Sequence, residues 1–158
     1  MFRQDDPKKC TAAKIVRFKL ATSVRTTLSN TLLLDPFAQK TLLRSDASLV
    51  DAIRGIDCSW EFAGKTFTKK FPGIASKLPP LLAGNPVNYS KLSKLTTVEA
   101  IAGAAFIMGF ASLAQNLLDK FKWGHTFYEL NQNLLEDYTK ANSEEEINSI
   151  IKEYRLLV

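Results

Sequence analysis

Short apolar runs that read as strands stop at about residue 90, and everything beyond reads as helix. That one-sided distribution points to an α/β half with a parallel sheet, followed by a helical half. In the first half, Thr31-Leu32-Leu33-Leu34 is an apolar run stopped by Asp35-Pro36, the pattern of a buried strand and its turn. Thr11 is placed to cap a helix over about 12–20, with Ile15 and Phe18 turned inward. Ser45 or Asp46 is placed to cap a second, with Leu49, Val50 and Ile53 on one face and Gly55 at its end. Residues 56–59 then read as the next buried strand. Residues 65–77 interleave Lys65, Phe67, Lys69, Lys70, Phe71 and Lys77 and are closed by Pro79-Pro80. They read as an amphipathic helix whose rings enter the core, or as a surface where bases stack on aromatics while lysines follow phosphates.

In the second half, Thr96 or Thr97 is placed to cap a helix that is apolar nearly all round (Val98, Ile101, Ala105, Phe106, Met108), hence central and buried. Gly109 marks a break. Residues 112–122 form the next helix, with Lys120 and Lys122 favourable at its C-terminal dipole. A third runs over 126–140. Ser143-Glu144-Glu145-Glu146 has the spelling of a capping box and opens a fourth over 145–156. The expected architecture is an α/β N-terminal domain over 1–79 and an all-α C-terminal domain over 80–158.

Charge divides along the same line. Residues 1–95 carry 16 Lys and Arg against 7 Asp and Glu, whereas residues 96–158 carry 5 against 9. A basic first half suits a polyanion, nucleic acid above all, although a lysine-rich solvated surface has the same composition. The most apolar stretch, 101–113, contains two glycines and falls short of the roughly 20 residues of a membrane helix. No apolar leader segment is visible. Cys10 and Cys58 are spaced neither for a metal nor for a disulfide framework, and read as reduced thiols of a cytoplasmic protein. With His125 the only histidine, a zinc centre or a Ser-His-Asp triad has little to stand on.

The candidate site is Ile56-Asp57-Cys58-Ser59-Trp60. A carboxylate, a thiol, a hydroxyl and an indole follow a strand, and ligands of open α/β sheets sit at the carboxyl ends of strands. The competing reading is a buried Trp60 that anchors a turn beside a solvated Asp57.

Four segments taken together resemble one family: Asp5-Asp6-Pro7-Lys8-Lys9-Cys10-Thr11, Asp57-Cys58-Ser59-Trp60, Ala83-Gly84-Asn85-Pro86-Val87-Asn88-Tyr89 and Lys120-Phe121-Lys122-Trp123-Gly124-His125-Thr126-Phe127. In order and spacing they are similar to the small-subunit rRNA aminocarboxypropyltransferases of archaea and eukaryotes, over nearly the whole chain. The resemblance implies an RLI-like N-terminal α/β domain with a parallel sheet, SPOUT-like and knotted, followed by an all-α domain that completes a cofactor site. It implies S-adenosyl-L-methionine as cofactor. It also implies transfer of the 3-amino-3-carboxypropyl group, not the methyl, to N3 of an N1-methylpseudouridine in small-subunit rRNA, with methylthioadenosine as by-product.

Site roles carried by the resemblance are these. Thr11 holds the cofactor carboxylate through its amide and hydroxyl. The Ile56 carbonyl takes the ribose hydroxyls, and Trp60 with Ala63 walls off the methyl. Leu78, Ser93 and Thr97 frame the adenine. Asp57 is the candidate catalytic carboxylate, able to accept the N3 proton or to steady the sulfonium. His125 fits a helix start better than catalysis, and Cys58 fits a packing role. The family carries a strand before the Asp5 segment, where this sequence has only Met1 to Gln4, so the sheet is expected to lack a member. Residues 89–93 replace a pattern that usually holds glycine, proline and an aromatic. Gly84 stands in place of the usual alanine, a change expected to be neutral. The partner implied is small-subunit rRNA or a pre-ribosomal particle, engaged by a monomer without metal or membrane. Two other readings remain at this point: a SPOUT-type RNA methyltransferase with a different exposed carbon, and a ribosome assembly factor that binds RNA without catalysis.

Overall fold

The structure, a computed structural model, describes residues 10–57, 63–66 and 71–156. The elements in chain order are α1 (Thr11–Arg17), β1 (Thr31–Leu34), a 3-10 turn (Arg44–Ser48), β2 (Ala52–Arg54), α2 (Ala63–Thr66) and β3 (Ile74–Ser76). The helices α3 (Thr97–Ile107), α4 (Ala111–Leu118), α5 (Gly124–Lys140) and α6 (Glu144–Glu153) follow. The three strands form one parallel sheet in the order β2-β1-β3, with Leu32 opposite both Ile53 and Ile74. All four residues of the central strand β1 are buried, as its unbroken apolar run requires.

The expected pair of domains is not what the chain builds. Leu32, Leu34 and Leu42 share one core cluster with Leu81, Ala105, Phe127, Tyr138 and Ile147, so the sheet and the later helices pack on a common core, beside a smaller cluster of Ile15, Val98, Leu117 and Phe121. The Thr41 amide donates to the Glu144 carboxylate at 3.1 Å, tying α6 to the sheet half. Among the described residues there is neither a SPOUT knot nor a separate α/β domain beside an all-α one. A sheet of such short strands cannot close a core alone, so it recruits the later helices as its other layer.

Several local expectations also change. The α1 cap is Cys10, whose sulfur accepts from the Ala13 amide at 3.3 Å, and not Thr11. Phe18 is exposed, with the Arg17 guanidinium over its ring, because α1 ends before that position turns inward. Neither Ser45 nor Asp46 is the cap: Leu43 holds that position, Asp46 lies three residues inside and its carboxylate accepts from the Leu43 amide at 3.0 Å, and the result is one 3-10 turn and not a helix to Gly55. Ala52–Arg54 is strand β2, since the Asp51 amide donates to the Asn30 carbonyl and sets the segment in register with β1. Ile56 and Asp57 therefore lie just past a strand, in the irregular segment that leaves it, and not within one. Ile74–Ser76 is strand β3, not the end of a helix. It is entered through Gly73 at φ +130°, where a Cβ would lie 2.6 Å from the Thr31 carbonyl oxygen.

The helical half follows its pattern closely. Thr96 caps α3, Gly109 breaks the chain at φ +90°, and Ser143 caps α6 by accepting from the Glu146 amide at 3.2 Å. No helix among the described residues is long and apolar enough to cross a membrane.

Candidate functional site

Three chain segments meet beyond the carboxyl end of β2. The first is the start of α1. The Cys10 thiol donates to the Asp57 carboxylate, with sulfur 3.4 Å from Oδ1 and 3.3 Å from Oδ2. The second is the segment Gly55–Asp57 that leaves β2. The third is the start of α3, where the Val98 amide donates to Thr11 Oγ1 at 3.5 Å. Gly55 lies so close to α3 that a Cβ there would stand 2.8 Å from Thr97 Cγ2 and 3.2 Å from Ile101 Cδ1. Beside this junction runs a cavity of about 650 Å³, lined by Ile56, Asp57 and Thr97 together with Ala12, Ile15 and Ile101. The volume falls within the range of small-molecule sites. Burial raises the pKa of the Cys10 thiol, and the nearby Asp57 carboxylate raises it further, so at neutral pH Cys10 is a protonated donor.

Behind the junction, the segment from Pro80 to Ser93 is held by one face of α5. The Tyr138 hydroxyl donates to the Pro80 carbonyl at 3.0 Å. The Asn131 side chain accepts from the Leu82 amide at 2.7 Å and donates to the Leu82 and Phe127 carbonyls at 2.8 Å each. Gly84 sits directly on α5: a Cβ would meet the Phe127 nitrogen at 2.4 Å. An alanine has no room here unless α5 shifts, so the exchange expected to be neutral is not. The Ser93 amide donates to the Leu81 carbonyl at 2.8 Å, and Ser90 and Ser93 both take positive φ, near 60°, to close the turn.

Glu99 ties this segment to α3. Its buried carboxylate accepts from the Gly84 and Asn85 amides at 2.7 and 3.0 Å, the Asn85 side-chain amide at 2.8 Å, the Thr96 amide at 2.7 Å and the Thr96 hydroxyl at 2.8 Å. Thr96 and Glu99 are thus a capping box whose carboxylate also gathers a distant loop. Sequence reasoning passed over Glu99, although Thr96-x-x-Glu99 spells the box. It also passed over Asn131, for which no local pattern exists, and the partnership of Cys10 with Asp57.

The sequence-predicted residues divide accordingly. Thr11, Ile56, Asp57 and Thr97 come together at the junction. Leu78 and Ser93 stand apart from the cavity lining; Leu78 packs at the core edge, its Cδ1 3.9 Å from the place of a Cβ on Gly103. Ala63 opens α2. Trp60 and Cys58 lie outside the described residues, as does the segment before Cys10. His125 is exposed on the first turn of α5. No group of three or more potential metal ligands occurs among the described residues. Ser76 Oγ, at the carboxyl end of β3, is buried without a hydrogen-bond partner.

Residues 32–155 match the family model described as "Ribosome biogenesis protein, C-terminal". Residues 2–27 match a "Possible Fer4-like domain in RNase L inhibitor, RLI". The second segment holds one cysteine, Cys10, where an iron–sulfur cluster needs about four ligands, so its donor set does not suit a cluster. The 16S rRNA aminocarboxypropyltransferase of Methanococcoides burtonii is 42% identical, across 96% of this chain and 90% of the relative. That of Halobacterium salinarum is 43% identical, across 95% and 90%. The solved structure of the SAM-dependent rRNA:acp-transferase Tsr3 from Vulcanisaeta distributa superposes with a TM-score of 0.81 at 35% identity, covering 98% of this chain and 93% of that one.

Proposed function

This chain belongs to the 16S rRNA aminocarboxypropyltransferase family, and we propose that it moves the 3-amino-3-carboxypropyl group of S-adenosyl-L-methionine to N3 of an N1-methylpseudouridine in small-subunit rRNA. The observation that carries this reading is the junction itself. A half-buried carboxylate, Asp57, faces a cavity of about 650 Å³ at the end of a parallel strand, between the starts of two helices. The residues fit the group. A carboxylate beside a mostly apolar wall suits a sulfonium, and helix starts suit a carboxylate.

When bound, S-adenosyl-L-methionine supplies a sulfonium whose carbon substituents are open to displacement. The protein's part is to choose which carbon meets the nucleophile in line. In this reading Trp60 and Ala63 wall off the methyl. The Thr11 amide and hydroxyl hold the cofactor carboxylate, and the Ile56 carbonyl takes the ribose hydroxyls. Leu78, Ser93 and Thr97 are the positions the resemblance assigns to the adenine; Thr97 lines the cavity at the start of α3, and Leu78 and Ser93 lie outside its lining. Asp57 accepts the proton that N3 of the imide gives up as the N–C bond forms and the C–S bond breaks, leaving methylthioadenosine. Lys14 and Arg17, on the helix that lines one side of the cavity, and Lys19 beyond it supply cations for the rRNA phosphates.

The test is Asp57→Asn, with cofactor binding and transfer measured separately. We expect binding to persist and transfer to fall about a hundredfold or more, the scale of a lost general base. Transfer at the wild-type rate refutes the role. Mass spectrometry of the reacted rRNA decides the chemistry, because a methyl adduct in place of the aminocarboxypropyl one would make this a methyltransferase.

A further inference from the structure

Cys10 has no part in the proposed chemistry, yet its side chain touches Asp57, from 47 residues away in sequence. Its hydrogen is shared between the two carboxylate oxygens, at 3.4 and 3.3 Å, which restrains the plane of the carboxylate as well as its distance. The sulfur is itself anchored, because it caps α1 by accepting from the Ala13 amide at 3.3 Å. Only 8% of the residue is exposed, so the thiol side of the contact is largely shielded from water.

We propose that Cys10 is the positioning residue for Asp57: as cap of α1 and donor to the carboxylate, it couples the start of α1 to the aim of the group that receives the N3 proton. A thiol suits that task where a stronger donor does not. A lysine or arginine would hold the carboxylate as an ion pair and oppose its protonation, whereas the weak S–H donor restrains it and leaves its basicity for the substrate. Burial keeps the thiol protonated at neutral pH, so it meets the carboxylate as a donor and not as a like charge.

The inference rests on the reading of Asp57 as the group acting at transfer, and the experiment separates the two. Cys10→Ala, Cys10→Ser, Asp57→Asn and Cys10→Ala combined with Asp57→Asn are compared for cofactor affinity, kcat and thermal unfolding. Cys10→Ala is expected to lower kcat about tenfold and to change cofactor affinity by no more than about twofold. Cys10→Ser keeps both the cap and a donor, and should restore most of the rate. Adding Cys10→Ala to Asp57→Asn should cost no further rate, because the residue being aimed is already disabled. If Asp57→Asn is impaired but Cys10→Ala turns over normally, positioning by Cys10 is overturned while the Asp57 reading stands. An undiminished Asp57→Asn overturns both. A kcat loss from Cys10→Ala that is equal in the wild-type and Asp57→Asn backgrounds, or that Cys10→Ser does not relieve, marks Cys10 as packing alone and also overturns the proposal.

Discussion

Glu99→Gln is a near-isosteric change that should cost far more than its shape suggests. The carboxylate has five donors. An amide keeps one acceptor oxygen and places an NH₂ where the other stood. If the carbonyl takes the place of Oε1, the Gly84 and Asn85 amides keep their partner, while the Thr96 amide and the Asn85 side chain face a donor. In the flipped orientation, the Gly84 and Asn85 amides lose their acceptor instead. The Thr96 hydroxyl can rotate to accept. Asn85 cannot turn over freely, because its Oδ1 already accepts from the Asn88 amide at 3.0 Å. At least two buried or partly buried N–H groups are orphaned either way, at about 1–3 kcal/mol each, with the weakening of charge-assisted bonds in addition. The expected loss is about 3–5 kcal/mol, or roughly 6–20 °C in Tm for a domain of this size. Urea unfolding followed by circular dichroism reads it directly, as a lower midpoint at unchanged m. A loss below about 1 kcal/mol would refute the reasoning, since the donors would then have to find other partners within the same loop.

Gly84→Ala should destabilise by about 1–3 kcal/mol in the same assay, because the atoms a Cβ meets at 2.4 and 2.5 Å are the Phe127 nitrogen and Cα, which move only with α5; an unchanged midpoint would show that the helix yields freely. Tyr138→Phe should cost about 1–2 kcal/mol at pH 8 through the lost bond to the Pro80 carbonyl. Burial raises the Tyr138 pKa well above its ordinary value of 10.0, so the folded state holds that proton more tightly than the unfolded one. The wild type therefore has the full benefit below about pH 10 and loses it as the pH climbs toward the folded value, and the gap between wild type and Tyr138→Phe should narrow between pH 8 and pH 11.

How far the sequence foretold this molecule varies with the length of each signal. The run Thr31–Leu34 with its Asp-Pro stop, the Thr96 cap, the break at Gly109 and the long periodic helix α5 carry their structure locally, and each forms where expected. β2 and β3 are three residues long, less than one helical turn and barely one strand alternation, so neither period can show itself. Ala52–Arg54 continues an apolar helical stripe as readily as it begins an alternation, and only pairing with Thr31–Leu33 decides. The site shows the same division. Asp57 could be suspected from the side chains crowded after it. The thiol that aims it, the carboxylate of Glu99 and the Asn131 amide that mimics a strand partner for Leu82 depend on contacts 47, 14 and 49 residues apart.

What brings those distant pieces together is α3, and its composition follows from that task. Its start meets Thr11 through the Val98 amide, and its Thr97 and Ile101 side chains meet Gly55. Its cap Thr96 and its Glu99 take hold of the Gly84–Asn85 turn. Further along, Gly103 stands where a Cβ would be 2.9 Å from Leu81 Cδ1, and Ala102, Ala104 and Ala105 are fully buried. A helix approached from so many sides at such range can keep neither a polar stripe nor bulky residues at every contact. Its nearly uniform apolarity and its run of small residues are therefore the record of a helix whose first turn is the floor of the site. A mutation that loosens its packing should disturb the placement of Thr97, and with it the cavity wall, before it unfolds the chain.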